Sequence, residues 1–169
     1  ILACAGSILL NGVLVAAAIV GDLPWVLTLV ILAVVLEIGV AAWSRHVLIA
    51  WPALITAYML PFLPSVIWAQ PWGLYGYLVL VTGMFLLVAY IYEWRSLHGM
   101  SLAGAYGIIF WSRVWPEGSV SSAASLLLLL VLIFLFHTLA TFLRSVVQRR
   151  KADFCEILYS VCNALAFYA

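Results

Sequence analysis

Ser125-Leu126-Leu127-Leu128-Leu129-Leu130-Val131-Leu132-Ile133-Phe134-Leu135-Phe136 opens an apolar run that reaches Phe142 and closes on Arg144 and Gln148-Arg149-Arg150-Lys151. About 20 apolar residues in a row cross the ~30 Å hydrocarbon layer as a helix, and a basic cluster behind them stays on the cytoplasmic side. The run therefore predicts an integral membrane protein. It also supplies the reference for the direction of every other segment.

The rest of the composition agrees. The chain has 169 residues, 68% hydrophobic and 8% charged, where a soluble domain is roughly half apolar and a quarter charged. A net charge of +1 excludes a nucleic-acid surface, which needs a basic face that displaces many counterions. Membrane lipids, and beside them other membrane subunits, are the partners the composition implies. Cys4, Cys155 and Cys162 form no CxxC and stand at no ligand spacing from a histidine; they read as small apolar residues, and no cofactor or metal is expected.

Outward from the decisive run, further apolar segments follow the same length rule. Segment 1 spans 1–20; segment 2 runs from Trp25 to Trp43 behind Pro24, a residue suited to a first helical turn. Segment 3, Val47 to Trp68, holds Pro52, Pro61 and Pro64, of which the later two should kink or break it. Segment 4 covers Leu74 to Tyr92 and segment 5 Gly99 to Trp115, with the stretch from Glu93 to His98 as the turn between them. Segment 6 is the decisive run, and segment 7 starts near Asp153. The expected fold is all-α: a polytopic transmembrane helical bundle of up-down hairpins, six complete spans and a partial seventh. Residues 1–169 form one transmembrane domain in this reading, cut from a longer polytopic chain.

Basic residues in short loops stay cytoplasmic. Alternate turns collect Arg45, Arg95, Arg144, Arg149, Arg150 and Lys151 on one side and Arg113 alone on the other, which predicts a multi-pass protein of the plasma (inner) membrane with the turns near Arg45, Arg95 and Arg149 cytoplasmic. Trp25, Trp68, Trp72, Trp111 and Trp115 then mark the outer boundary, and Trp43, Trp51 and Trp94 the inner one. Segments 2–3, 4–5 and 6–7 also read as repeats of one hairpin, although two spans with their loops give a similar spacing of about 50 residues by geometry alone.

Few residues here carry chemistry. Glu37 should lie about 9 Å inside the inner boundary, at 1.5 Å per residue from Trp43, where an ionisable group marks a functional interior unless it is protonated or snorkels toward Arg45. His137, with Thr138 and Thr141 beside it, is either a neutral imidazole bonded to a neighbouring helix or a proton-relay partner of Glu37. Arg113 could hold an anionic headgroup with Trp111 and Trp115, or pair with Glu117. Gly99, Ala103 and Gly107 recur every four residues and leave one helix face nearly bare for close helix packing. Glu156 and Asn163 share a face of segment 7 with no evident partner, while Asp153 and Glu156 are placed to pair with Arg149 to Lys151. No phosphate-cradling loop, metal-ligand pair, GxSxG turn or paired carboxylates are found, so no catalytic residue is assigned.

Gly76-Tyr77-Leu78-Val79-Leu80, Glu93-Trp94-Arg95, Ser101-Leu102-Ala103-Gly104, Ile109-Phe110-Trp111, Leu126 to Leu130 and Cys162-Asn163-Ala164-Leu165-Ala166-Phe167 together resemble a bacterial family of very long membrane proteins, domain of unknown function 2339. The likeness covers residues 74–169. It implies a plasma-membrane protein with many more spans, and no activity or catalytic residue to carry over. The functional expectation is an integral membrane protein that binds or transports a lipid-like or small polar solute. A membrane-embedded transferase on a lipid-linked substrate and a non-catalytic membrane scaffold are the alternatives.

Overall fold

The computed structural model describes residues 12–13, 24–62, 71–114, 123–147 and 153–168. Apart from Gly12 and Val13, the expected first span lies outside these residues, as do Pro64 and the basic cluster 148–151. Among the described residues from 24 to 168 there are six helices and one short 3-10 turn, and no strand. The all-α expectation therefore holds. The chain divides into two compact units, Ile1–Ala69 and Gln70–Ala169.

In the first unit, residues 24–62 form a helical hairpin. Helix α1, Pro24–Ser44, starts on the proline whose missing amide proton has no helical partner at that position. Helix α2, Val47–Met59, contains Pro52 without ending there, and gives way at Leu60–Phe62 to a 3-10 turn that includes Pro61. Val30, Val34, Ile38 and Ala41 of α1 and Ala50, Ala53, Leu54, Ala57 and Tyr58 of α2 are all buried, and the two helices pack against each other.

The second unit holds α3 (Pro71–Ile91), α4 (Arg95–Val114), α5 (Ala123–Val147) and α6 (Phe154–Tyr168). Helix α4 begins at Arg95, a full turn before the Gly99 start read from the sequence, so His98 is helical and not part of a turn. Helix α3 packs against both α4 and α5, α6 lies along α5, and α4 meets α6 only lightly.

One turn geometry closes both hairpins. Arg45 (φ 56°) and Glu93 (φ 58°) are left-handed, and the amides of the residues that follow, His46 and Trp94, bond to Ala41 O at 3.2 Å and Ala89 O at 3.0 Å. This is the pattern in which a residue just past the helix end turns the chain and a later amide satisfies a free carbonyl. Because the turn sets the rotation of both helices, the two hairpins bury corresponding positions 48 residues apart: Val30 and Leu78, Ala41 and Ala89, Ala50 and His98, Ala53 and Ser101, Tyr58 and Tyr106. The first two hairpins thus share one turn geometry and one burial register.

Two helices, Gly73–Ile91 and Ala124–Val146, are long and apolar enough to cross a membrane. They are also poorly covered, with only 33% and 22% of their apolar windows buried. Leu127, Leu128, Leu135, Leu139 and Phe142 of α5 all face outward. A soluble protein buries its most apolar helix, because each Å² left in water costs about 25 cal/mol. Weakly but consistently, the exposed faces point to a membrane location.

Candidate functional site

Polar side chains collect in the interior of the second unit. They come from α4, α5 and α6, and they form three tiers along α5 between Phe134 and Arg144, about 15 Å at 1.5 Å per residue. Helix α5 runs against α4 and α6, so descending positions on α5 meet ascending ones on the other two.

In the first tier Arg144, 6% exposed, donates from Nη2 to Ala89 O at 2.9 Å. That carbonyl is the one that closes the α3–α4 turn. Glu156 of α6 lies 3.9 Å from Arg144 Nε, which makes the carbonyl the tighter partner. Nearer the surface Arg95 pairs with Asp153, and Asp153 caps α6, accepting the Phe154 amide at 2.7 Å. The sequence had assigned Asp153 and Glu156 to Arg149–Lys151. Arg149–Lys151 lie outside the described residues; among those described, Arg95 and Arg144 are the cations that helix packing brings to Asp153 and Glu156.

The second tier is a pair of imidazoles. His137 Nδ1 lies 3.3 Å from His98 Nε2, their rings 5.2 Å apart, and Tyr159 of α6 stacks on the other side of His98 at 5.2 Å. His137 is 1% exposed and His98 5%. Nε2 of His137 is buried with no hydrogen-bond partner among the described residues. An orphaned buried polar atom of this kind costs about 1–3 kcal/mol.

The third tier is satisfied throughout. Asn163 accepts from Tyr106 Oη at 2.9 Å and donates through Nδ2 to Phe134 O and Thr138 Oγ1, each at 3.1 Å. One amide thereby ties α4, α5 and α6 together.

The sequence-derived candidates fall out as follows. His137 lies in the cluster, and the imidazole it meets is His98. Glu37 is buried on α1 in the other unit. Arg113 lies in the last turn of α4, but its side chain, like Trp115 and Glu117, is outside the described residues. The bare face divides: a Cβ on Gly99 would stand 2.9 Å from Tyr159, whereas one on Gly107 would meet nothing within 4 Å, and Ala103 is exposed. Between α4 and α6 this face borders an open apolar groove of about 290 Å³. His98, Tyr106 and Tyr159 were missed. With α4 begun at Arg95, His98 and Tyr106 at i and i+8, with Ser101 between them, would have read as one polar face.

Chemically, the cluster offers hydrogen bonds and exchangeable protons in an apolar surround. No three His, Cys, Asp or Glu side chains among the described residues stand together as a metal site, and Cys155 and Cys162 are free thiols. No family model, no curated protein and no solved structure matches the chain, so the likeness over residues 74–169 remains an expectation from the sequence.

Proposed function

We propose that the chain is the membrane-embedded part of a multi-pass plasma-membrane protein, with the turns at Arg45 and Arg95 facing the cytoplasm, that binds or moves a small polar or lipid-like solute. The observation that carries this is an inversion of solubility. The outward faces of α3 and α5 are apolar while His98, His137, Arg144, Glu156 and Asn163 are buried. In hydrocarbon, polar side chains turned to the bundle interior mark solute or ion pathways. The remaining helices complete the spans in this reading, and the basic turns set their direction.

The test has two parts. Reporter fusions at Arg45, Arg95 and Val114 should place the first two on the cytoplasmic side and the third outside; all three on one side would end the multi-pass reading. Thermal-shift screening of lipids and small polar solutes should then find ligands whose stabilisation is lost in His137→Ala. Identical shifts in His98→Ala, His137→Ala, Glu37→Gln and wild type would remove these residues from the site.

The scaffold reading keeps one observation of its own, the uncovered Ala103 and Gly107 on α4. Ala103→Leu should then abolish co-purification of a partner without affecting insertion, since small residues allow helices in lipid to approach closely.

A further inference from the structure

Resting on the membrane-spanning reading, we propose that His98 and His137 form a single-proton relay whose entry point is Nε2 of His137. Three observations carry it. The two rings meet nitrogen to nitrogen at 3.3 Å, they come from different helices, and the far nitrogen of His137 is buried without a partner among the described residues.

An N···N contact between imidazoles holds only if one nitrogen carries the proton and the other does not. Take His137 as the donor: its Nδ1–H points at Nε2 of His98, and its own Nε2 is a bare acceptor. A proton that reaches Nε2 makes His137 an imidazolium. Its Nδ1 proton crosses to His98 Nε2, and His98 releases the proton it carried on Nδ1. One proton enters and one leaves, no electrons move, and each ring ends in the opposite tautomer. Reverse transfer, or turning of the rings, restores the start. Water or an ionisable group on the solute supplies and receives the proton. Imidazole is suited to this because a neutral ring carries one donor and one acceptor nitrogen and can take a proton on one while giving it up from the other.

The charges around the pair limit it to one proton. Arg144 of α5 sets a fixed positive charge against His98, and Glu156 of α6 stands beside Arg144. From α3 the pair meets the turn carbonyl of Ala89 through Arg144. Helix α4 adds Arg95, paired with Asp153, and α6 adds Tyr159 with Cys155 close to it. Two imidazoliums would face each other and Arg144 with one carboxylate in reach.

The experiment is solid-state NMR of the full chain in lipid bilayers with ¹⁵N-labelled histidine, from about pH 8 to about pH 3, a range that spans the ordinary titration of imidazoles and carboxylates. A through-bond N–N coupling between His137 and His98 is expected, with His137 Nε2 changing protonation as the pair takes up one proton; the coupling and that change should vanish together in His98→Gln. A His137 Nε2 signal constant across the range, absence of the coupling in wild type, or a change that persists in His98→Gln would overturn the relay. Amide exchange in the same samples separates this from failure of the membrane reading. Rapid exchange through α3 and α5 would overturn that reading, whereas slow exchange beside a constant Nε2 would overturn the relay alone.

Discussion

Hairpins α1–α2 and α3–α4 share a turn and a buried register but differ in what fills it. Where α2 inserts Ala50 and Ala53, α4 inserts His98 and Ser101; where α1 buries Glu37, α3 buries Phe85. On the neighbouring face Trp51, Ile55 and Met59 of α2 stand where α4 has Gly99, Ala103 and Gly107. Ala50 and Ala53 fill those slots with small apolar side chains that ask for no hydrogen-bond partner. Polar residues in the same slots are useful only when further helices arrive to satisfy them, as α5 and α6 do. The same turn and burial register thus carry alanines in one hairpin and one wall of a polar cluster in the other.

The largest test of that difference lies at the turns. Ala41 O takes the His46 amide and, at 3.3 Å, Ser44 Oγ, whereas Ala89 O takes the Trp94 amide and Arg144. Arg144→Met should destabilise the second unit by about 3–5 kcal/mol, since it strands buried Glu156 without its cation. Arg144→Met with Glu156→Gln should recover part of this, and equal unfolding midpoints for wild type and Arg144→Met in detergent would show that Ala89 O needs no second donor.

Gly99→Trp copies Trp51 into the second hairpin. The new ring must displace Tyr159, already 2.9 Å from a Cβ at this position, and overpacking of this kind costs about 1–3 kcal/mol. Loss of tyrosine stacking on His98 would be visible as a shifted His98 resonance.

His98→Ala copies Ala50. It leaves Nδ1 of His137 unpartnered as well as Nε2, for a loss of about 1–2 kcal/mol. No change in thermal midpoint would mean that water fills the gap and that the imidazole contact is not structural.

Gly107→Ala should be silent to within about 0.5 kcal/mol, because its Cβ meets nothing within 4 Å. A drop in stability here would reveal a close neighbour on that face. Glu93→Gly should bring a gain of similar small size by removing the side chain from a left-handed residue, measured as a raised thermal midpoint.

Much of the fold was legible because helices and their length limits are local. The Leu126–Leu130 run, Pro24 at the start of α1 and the polar turns around residues 45 and 93 all carry their meaning within a few residues. The first polar tier was legible only as loose charges: Asp153 and Glu156 clearly needed cations, and the adjacent Arg149–Lys151 was the natural choice. Asn163 was noticed without a partner, since Tyr106, Thr138 and Phe134 O lie 25–57 residues away. His98 was hidden by a boundary error of one helical turn at α4.

By itself, the sequence determined that the chain is helical, that its helices pair through short turns, and that α3 and α5 are apolar enough for lipid. These follow from hydrophobic run length and turn chemistry, which act over a handful of residues. Only the tertiary structure decided that His137 meets His98, that Arg144 reaches the Ala89 carbonyl, and that Gly99 is covered while Gly107 is open. Those outcomes depend on how far each helix is rotated about its axis, and that angle is set by the turns and by packing against helices distant in the chain.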